Sequence, residues 1–514
     1  MKKIGLIFLM LLVGLYSRAE YTLDYSAEFI GTAGSGNFAP HYMSSNVHGI
    51  VTQTNSSLLK LDIHRGLEKD KRFSFGYGAT LVGGYASATD YSYYDKAKGG
   101  LSVKGERPAA AAWIHQLYAE LKYRGVFVTA GAKEMNSKIL NDRLSSGDMT
   151  ISSNFRPIPG LRAGFIEPQN VPFTNGWVQI SGEIGYYKHT DNGWIENHYN
   201  YYYGGITKEH WLNYKCCYFN TNPDKPFSAT LGLQASCQFG GKIYNYSKGE
   251  LVSTVDMSPT AKSFFRTMIP GSGGNVQGDK FFVEGNHVGS IDLMGRYRFK
   301  NGTVLKAYYQ NLWEDGSGLG KMNGFDGLYG IEYDSGKETG VLTGAVVEYL
   351  DLMNQGGPVF YAPTDWEEQG IDTKIYTAAT GGDNYYNNYC YLSGYSNYGM
   401  SFGSPMVKSP LYNTDGYLKY VDNRMRAFHV GLEGKPAKDW SYRLLFSYAK
   451  SLGTVWIPIS KPRENIAGMV ECVYRWHSLP NLNIKCQVGF DKGQLYGDNF
   501  GALLSVSYRG LIKF

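Results

Sequence analysis

The stretch Asp383-Asn384-Tyr385-Tyr386-Asn387-Asn388-Tyr389 sets three tyrosine rings among three amides and a carboxylate. Such a mixture offers flat apolar faces beside hydrogen-bonding groups, which suits a ligand that presents C–H faces and hydroxyls together. Trp366, with Glu367 and Glu368, lies nearby in sequence, and Tyr199, Tyr201, Tyr202 and Tyr203 form a second tract. An aromatic girdle at a membrane boundary uses the same residues, and so does the self-packing of a long loop. Composition leaves these readings open. A further set is Glu284, Asn286, His287, Glu314 and Asp315. They fall at the ends of two runs read below as adjacent strands, a position from which they would line one rim. Equally they would form a hydrogen-bonded network that shapes an interior, because buried polar groups need partners.

Catalytic chemistry finds no support. His287 lies beside carboxylates, but no nucleophile of fixed geometry accompanies it. Gly316-Ser317-Gly318-Leu319-Gly320-Lys321 resembles a phosphate loop only superficially, since Met322 stands where Ser or Thr is required. The chain is read as a non-enzyme with no cofactor and no metal site. None of its six cysteines combines metal-ligand spacing with histidines. Cys237, Cys472 and Cys486 lie on the apolar parity of their runs and read as small hydrophobes. Cys216 and Cys217 point to opposite faces of a strand and are poor partners for each other.

The elements that must position these residues are strands. In 503–514 the even positions are Leu504, Val506, Tyr508, Gly510, Ile512 and Phe514, while the odd ones are mostly polar. A period of two means strand. In 227–239 Phe227, Ala229, Leu231, Leu233, Ala235, Cys237 and Phe239 alternate with small or polar residues. Thirteen residues at about 3.3 Å each span a tilted path across a bilayer core. In 290–299 the apolar parity continues past the turn at Lys300-Asn301-Gly302 into Leu305, Ala307 and Tyr309. The hairpin 470–476 and 482–490 puts Glu471, Arg475, Lys485 and Gln487 on one face. Charges repeatedly given to one face imply a hydrated interior. Further strands are expected at 25–32, 54–65, 73–85, 113–124, 125–133, 177–187, 426–434 and 440–450. Short turns are expected at 222–225 and 434–436. Long loops are expected at 195–211, 250–285 and 350–418. The segment 135–155 alternates poorly and reads as a helix or an inward-folded plug.

Lys2 and Lys3 precede an apolar run, and Ser17-Arg18-Ala19 supplies a cleavage site. Residues 1–19 therefore read as a secretory signal peptide, too short to span a bilayer. No cysteine follows Ala19, which argues against a lipoprotein anchor. The chain has 43 Tyr, 64 Gly and 15 % aromatics. Its mean hydropathy is −0.32. Such values fit a chain in which only half of each strand meets lipid. Net charge is +5, with three of the basic residues in the leader, so nothing asks for nucleic acid. The expectation is all-β: a transmembrane antiparallel β-barrel over 20–514, of roughly 16 to 20 strands with long outer loops. The last strand closes against an early one such as 25–32, and its terminal aromatic is the signal read by the barrel-insertion machinery.

Several strings resemble the capsule assembly Wzi family in its Bacteroidetes-type form. They are Leu144-Ser145-Ser146-Gly147, the run from Ser153 to Arg162, and Asn220-Thr221-Asn222-Pro223-Asp224-Lys225. Glu284 to Ser290, Tyr308-Tyr309-Gln310 and Glu314 to Gly318 follow, then Asn423-Arg424, Tyr442 to Leu445 and Asp491 to Leu495. They occur in order over most of the chain. Cys216-Cys217 departs from the more polar, His-containing stretch of the family. The resemblance implies a barrel of about 18 strands in the Gram-negative outer membrane, not an enzyme. It would bind capsular or extracellular polysaccharide as a lectin, with outer-membrane lipid around it. On that reading Tyr385, Tyr386, Asn387, Asn388, Tyr389, Trp366, Asn286, His287, Glu314 and Asp315 are the candidate binding residues, and the interior cations Arg296, Arg298 and Lys306 either favour anionic sugars or balance carboxylates. A porin-like channel for solutes or oligosaccharides shares the barrel and is the alternative.

Overall fold

A sheet that meets hydrocarbon must satisfy every backbone group between strands, and only closure leaves no edge. The computed structural model closes in this way. It describes residues 22–106, 112–268, 284–314, 318–321, 323–357 and 383–513. The leader expected at 1–19, Trp366, Asp315 and Phe514 lie outside those residues. Nineteen strand segments make one sheet. Pro159–Phe165 and Gln169–Asn170 share one position in the wall, both pairing with Val178–Lys188, so the barrel has 18 strands. The seam is the expected one. Asn499–Lys513 pairs with Thr22–Ser35, from Thr22↔Lys513 to Ser35↔Phe500.

Thr22 and Lys513 sit at the short-turn end of the barrel, with connections such as 124–125, 222–226, 299–303 and 438–439. The opposite end carries long connections, among them 87–111, 189–210, 240–285 and 352–424. Alternation sorts the wall. Leu59, Leu61 and Ile63 face outward, between 41 % and 47 % exposed, while Leu58, Lys60 and Asp62 face the interior. Apolar side chains this open are stable because their medium is lipid. Tyr309, Tyr329, Tyr349, Phe428 and Tyr448 stand directly opposite one another across five consecutive strands near the long-loop end. Trp440, Tyr474 and Trp476 cluster near the other end. These are the two interfacial girdles of a spanning barrel.

Two expectations change, and for 135–155 one of the two expected forms is found. The strand Phe227–Phe239 has the expected bounds. Its outer third does not meet lipid, however. Ala235, Cys237 and Phe239 are buried, because the helix Ala261–Met268 lies against them. Phe264 of that helix packs edge-on to Phe239 at 5.1 Å and to Trp211 at 5.2 Å. The turn expected at 434–436 lies instead at 438–439. Met425–Ala437 carries Pro436 through a register shift before meeting Trp440. The segment 135–155 folds inward as a plug and contains no helix. All six cysteines are free thiols.

Candidate functional site: a plugged lumen beneath an outer cap

Three segments enter the barrel from the long-loop end, 36–55, 133–158 and 383–424. Apolar side chains in a hydrated lumen have nowhere to go but onto one another. They meet around Phe155, Tyr385, Tyr386, Tyr395 and Phe402, none more than 2 % exposed. Tyr386 stacks on Tyr395 at 5.7 Å. Phe402 meets Tyr395 at 4.8 Å and Phe155 at 4.7 Å. Backbone groups without strand partners also need bonds, and the segments supply them to each other. Ser152 N donates to Phe402 O at 2.8 Å, Tyr395 Oη to Thr150 O at 3.0 Å, and His48 N to Ser153 O at 2.7 Å.

The wall holds this plug through carboxylates and amides. Glu348 accepts from Ser145 Oγ at 2.6 Å, from Ser146 N at 2.7 Å and from the Tyr308 hydroxyl. Asp148 of the plug accepts from Gln310 Nε2 at 2.9 Å and Gln234 Nε2 at 3.1 Å. The same two amides donate to Asp292 of the wall at 3.1 and 3.0 Å. The His429 ring bridges the Tyr42 hydroxyl at 2.6 Å and the Leu144 carbonyl at 2.7 Å. Gly431 lets the plug approach, since a Cβ there would lie 2.4 Å from Leu144 O. At the short-turn end the lumen is lined by ion pairs of both signs. Lys138–Glu183 at 2.8 Å, Arg443–Glu471 at 2.8 Å, Arg143–Glu433 at 3.0 Å and Lys306–Glu332 at 3.0 Å are examples. A cavity of about 420 Å³ opens there, between Asn141, Arg143, Glu332, Lys337, Glu433 and Lys435.

The structure joins the two candidate sets of the sequence, and it joins them by hydrogen bonds that consume their polar atoms. Tyr386 N donates to Glu314 Oε1 at 2.6 Å, and Asn388 Nδ2 donates to Asn286 Oδ1 at 3.1 Å. Asn387 exchanges bonds with the backbone of Tyr420 at 2.8 and 2.9 Å. Tyr385 and Tyr386 have no exposed surface, so neither ring offers a face to an outside ligand. Tyr389 is 57 % exposed. His287 is one residue from Asn286 and therefore faces outward rather than into the lumen. It lies 3.4 Å from Cys237 Sγ, beneath the outer covering of that strand. Lys306 is paired with Glu332, and Arg296 donates to Pro223 O at 3.2 Å. Asp326, just before its strand, carries a load the sequence did not mark. It accepts from Gln355 N at 2.8 Å and Asn354 N at 3.0 Å, and lies 3.4 Å from Tyr385 Oη. Burial pushes its carboxyl up to about 6 against the pull of those donors.

Above the plug lies a cap. It contains the sheet Tyr203–Lys208, Lys242–Ser247 and Glu250–Asp256, the hairpin Asp90–Asp95 and Gly100–Gly105, and the helix Trp194–His198. Ile195, Tyr199, Ile206 and Leu418 form its core on one side. Its outer surface keeps rings open. Tyr203 is 71 % exposed, Tyr202 40 % and Tyr417 37 %. Tyr94 approaches Tyr202 at 5.9 Å. Polar groups stand among them: Asn245 with Ser253 at 3.0 Å, Lys96 with Glu250 at 2.6 Å, and Asp415. Residues from 94 to 417 assemble this face, and only the tract 199–203 was visible as a local signal.

No protein-family model matches the chain, and no curated protein matches it in sequence. Solved structures do match in fold. The chain is similar to Wzi of Escherichia coli, described as an outer membrane protein involved in group 1 capsule assembly and a carbohydrate-binding β-barrel. The TM-score is 0.55 at 11 % identity, over 94 % of this chain and 83 % of that one. It is similar to OccAB2 of Acinetobacter baumannii, with TM-score 0.47 and 8 % identity over 96 % and 98 % of the two chains. OpdK, an outer membrane protein of Pseudomonas aeruginosa, gives 0.44 and 10 % over 97 % and 100 %. At these identities the likeness is one of fold. A closed antiparallel barrel with an apolar outer band is an outer-membrane protein of the Gram-negative type.

Proposed function

We propose that this barrel is a lectin of the Wzi type, which holds capsular or extracellular polysaccharide at the cell surface on the outer face of its cap. The observation that carries the reading is the division of labour among its aromatics. The tyrosines inside the lumen are spent on holding the plug. Those of the cap stay open beside amide, carboxylate and ammonium groups. Stacking of sugar C–H faces on Tyr202, Tyr203, Tyr389 and Tyr417, with hydroxyls bonded by Asn245 and Asp415, is the recognition this surface supports. Asn286, Glu314, Tyr385, Tyr386, Asn387 and Asn388 act beneath it as the scaffold of the loop that bears Tyr389. The likeness in fold to a barrel described as carbohydrate binding supports the reading. Function is by binding alone, without a catalytic step.

A strain lacking the protein should make its surface polysaccharide and shed it into the medium. Normal retention on the cells would sink the proposal. In planar bilayers the purified protein should conduct little, because the plug occupies its lumen. A large steady conductance would favour the porin-like reading instead.

A further inference from the structure

On the outward face, two residues beyond the aromatic row, four charges stand directly opposite one another across adjacent strands. They are Asp351, Arg426, Lys450 and Glu464. The order of signs places the two cations side by side. Like charges directly opposite each other in a sheet are unfavourable, and nothing in the fold forces this pair, because both side chains are open. Arg426 is 57 % exposed and Lys450 46 %. Among the described residues, each holds a carboxylate on its far side only. Arg426 Nε lies 2.9 Å from Asp351 Oδ2, and Lys450 Nζ lies 3.3 Å from Glu464 Oε1. The space between the cations therefore faces the membrane interface with two positive charges on its borders.

The level of this pair is fixed by the strands. Phe428 and Tyr448, directly opposite each other, are 43 % and 39 % exposed on the same face. Two residues further out is about 7 Å along the strand, the step from the girdle to the lipid head groups. Beside the pair opens a cavity of about 550 Å³. Tyr448 and Ile466 form its apolar border, and Glu464, Lys492, Gln494 and Asp498 its polar one. A cavity with one apolar and one polar border fits an amphipathic molecule. Amide and carboxylate groups near its charges fit hydroxyls better than they fit a simple diester.

We propose that Arg426 and Lys450 clasp a phosphate on the head group of a phosphorylated glycolipid of the outer leaflet. Guanidinium meets phosphate oxygens in bidentate fashion and the ammonium adds a point charge. The sugar hydroxyls lie in the adjoining cavity against Glu464 and Gln494, and the acyl chains run down over Phe428, Phe446 and Tyr448. The bound anion relieves the repulsion between the two cations.

The test uses the full protein in neutral detergent, titrated with four probes and followed by native mass spectrometry. The probes are a bis-phosphorylated diglucosamine lipid, its dephosphorylated form, phosphatidylglycerol and inorganic phosphate. The phosphorylated glycolipid should bind at least 10-fold more tightly than the other three. The R426Q/K450Q variant should lose that preference, while K337Q/K435Q, at the opposite end of the barrel, should keep it. Equal binding of the phosphorylated and dephosphorylated lipids by the unaltered protein overturns the proposal, whether or not the variant inserts. Undiminished binding by R426Q/K450Q overturns it too. Equal binding of phosphatidylglycerol or free phosphate removes the glycolipid from it.

Discussion

The tracts 199–203 and 383–389 are built from the same material, yet adjacent tyrosine pairs within them end in opposite surroundings. In the first, Tyr202 and Tyr203 stand on the cap with their rings in the open, and Tyr203 is 71 % exposed. In the second, Tyr385 and Tyr386 are sealed in the lumen with no exposed surface. Tyrosine is amphipathic, so it serves either place. What separates the tracts is the supply of partners. Around 383–389 the barrel wall and two other inserted segments provide ring faces and acceptors. The Tyr386 hydroxyl reaches Met149 O at 2.5 Å. Around Tyr202 and Tyr203 there is a sheet on one side and solvent on the other. An aromatic tract in a barrel loop is thus evidence of a binding face only once its burial is known.

The largest effect is expected at Tyr386. Tyr386→Ala removes a fully buried ring and should cost about 3–5 kcal/mol, the range for large-to-small core changes of aromatics. Thermal melting of the purified protein would show it, with a rise in bilayer conductance as the plug loosens. A melting temperature unchanged within a degree would mean that the plug is not held by this cluster.

A smaller effect is expected from pH, again in the plug. His48 lies 3.7 Å from Glu134 and 6.5 Å from the His115 ring, with Lys60 also near. Burial is the main cause that holds its imidazole down to about 4, against the pull of Glu134. The ordinary value is about 6.5. Between these values the unfolded chain binds more protons than the folded one, so stability rises with pH across the window and is lost on acidification. At pH 5.5 the loss from this one group is roughly 1.4 kcal/mol. His48→Asn should flatten the fall in melting temperature between pH 7.5 and 5.5. Asparagine suits the position because His48 has a left-handed φ of 53°. An equally steep fall in the variant would remove His48 from the account. Asp326 acts with the opposite sign, since its raised carboxyl favours the fold as pH drops through about 6.

The smallest effect on stability should come from the cap. Tyr202→Ala with Tyr203→Ala should change stability by no more than about 0.5 kcal/mol, as at exposed positions generally. Binding to isolated surface polysaccharide, followed by calorimetry, should nevertheless fall by about 10-fold or more, equivalent to ~1.4 kcal/mol. Unaltered binding with unaltered stability would leave these rings as mere solvent-facing loop.

Strands were legible where both faces had a simple medium. Asn499–Lys513 and the hairpin of Pro458–Arg475 with Leu482–Gly493 alternate cleanly because lipid lies on one side and polar groups on the other, as it does along 227–233 of the strand Phe227–Phe239. Trp211–Thr221 did not show a clean pattern. Its inward Leu212, Tyr214 and Tyr218 pack on the plug, and its outward Trp211 lies under the helix Ala261–Met268. Gly327–Asp334 and Gly340–Asp351 also escaped notice, though both are wall strands. Of the candidate site, the residue types were visible and their exposure was not. Asn286 and His287 looked like one rim, yet adjacent residues of a strand must face opposite ways.

By itself the sequence determined the barrel, its apolar parity, its seam and the end at which the long loops gather. Those follow from a period-two pattern that each strand carries locally. Contacts between distant segments decide that 36–55 and 383–424 turn inward beside 133–158, that Tyr385 and Tyr386 are mortar while Tyr202 and Tyr203 are surface, and that Arg426 stands opposite Lys450 on the neighbouring strand. Those facts depend on which distant segments meet, and hydrogen bonds such as Tyr386 N to Glu314, 72 residues apart, leave no periodic trace in the chain that makes them.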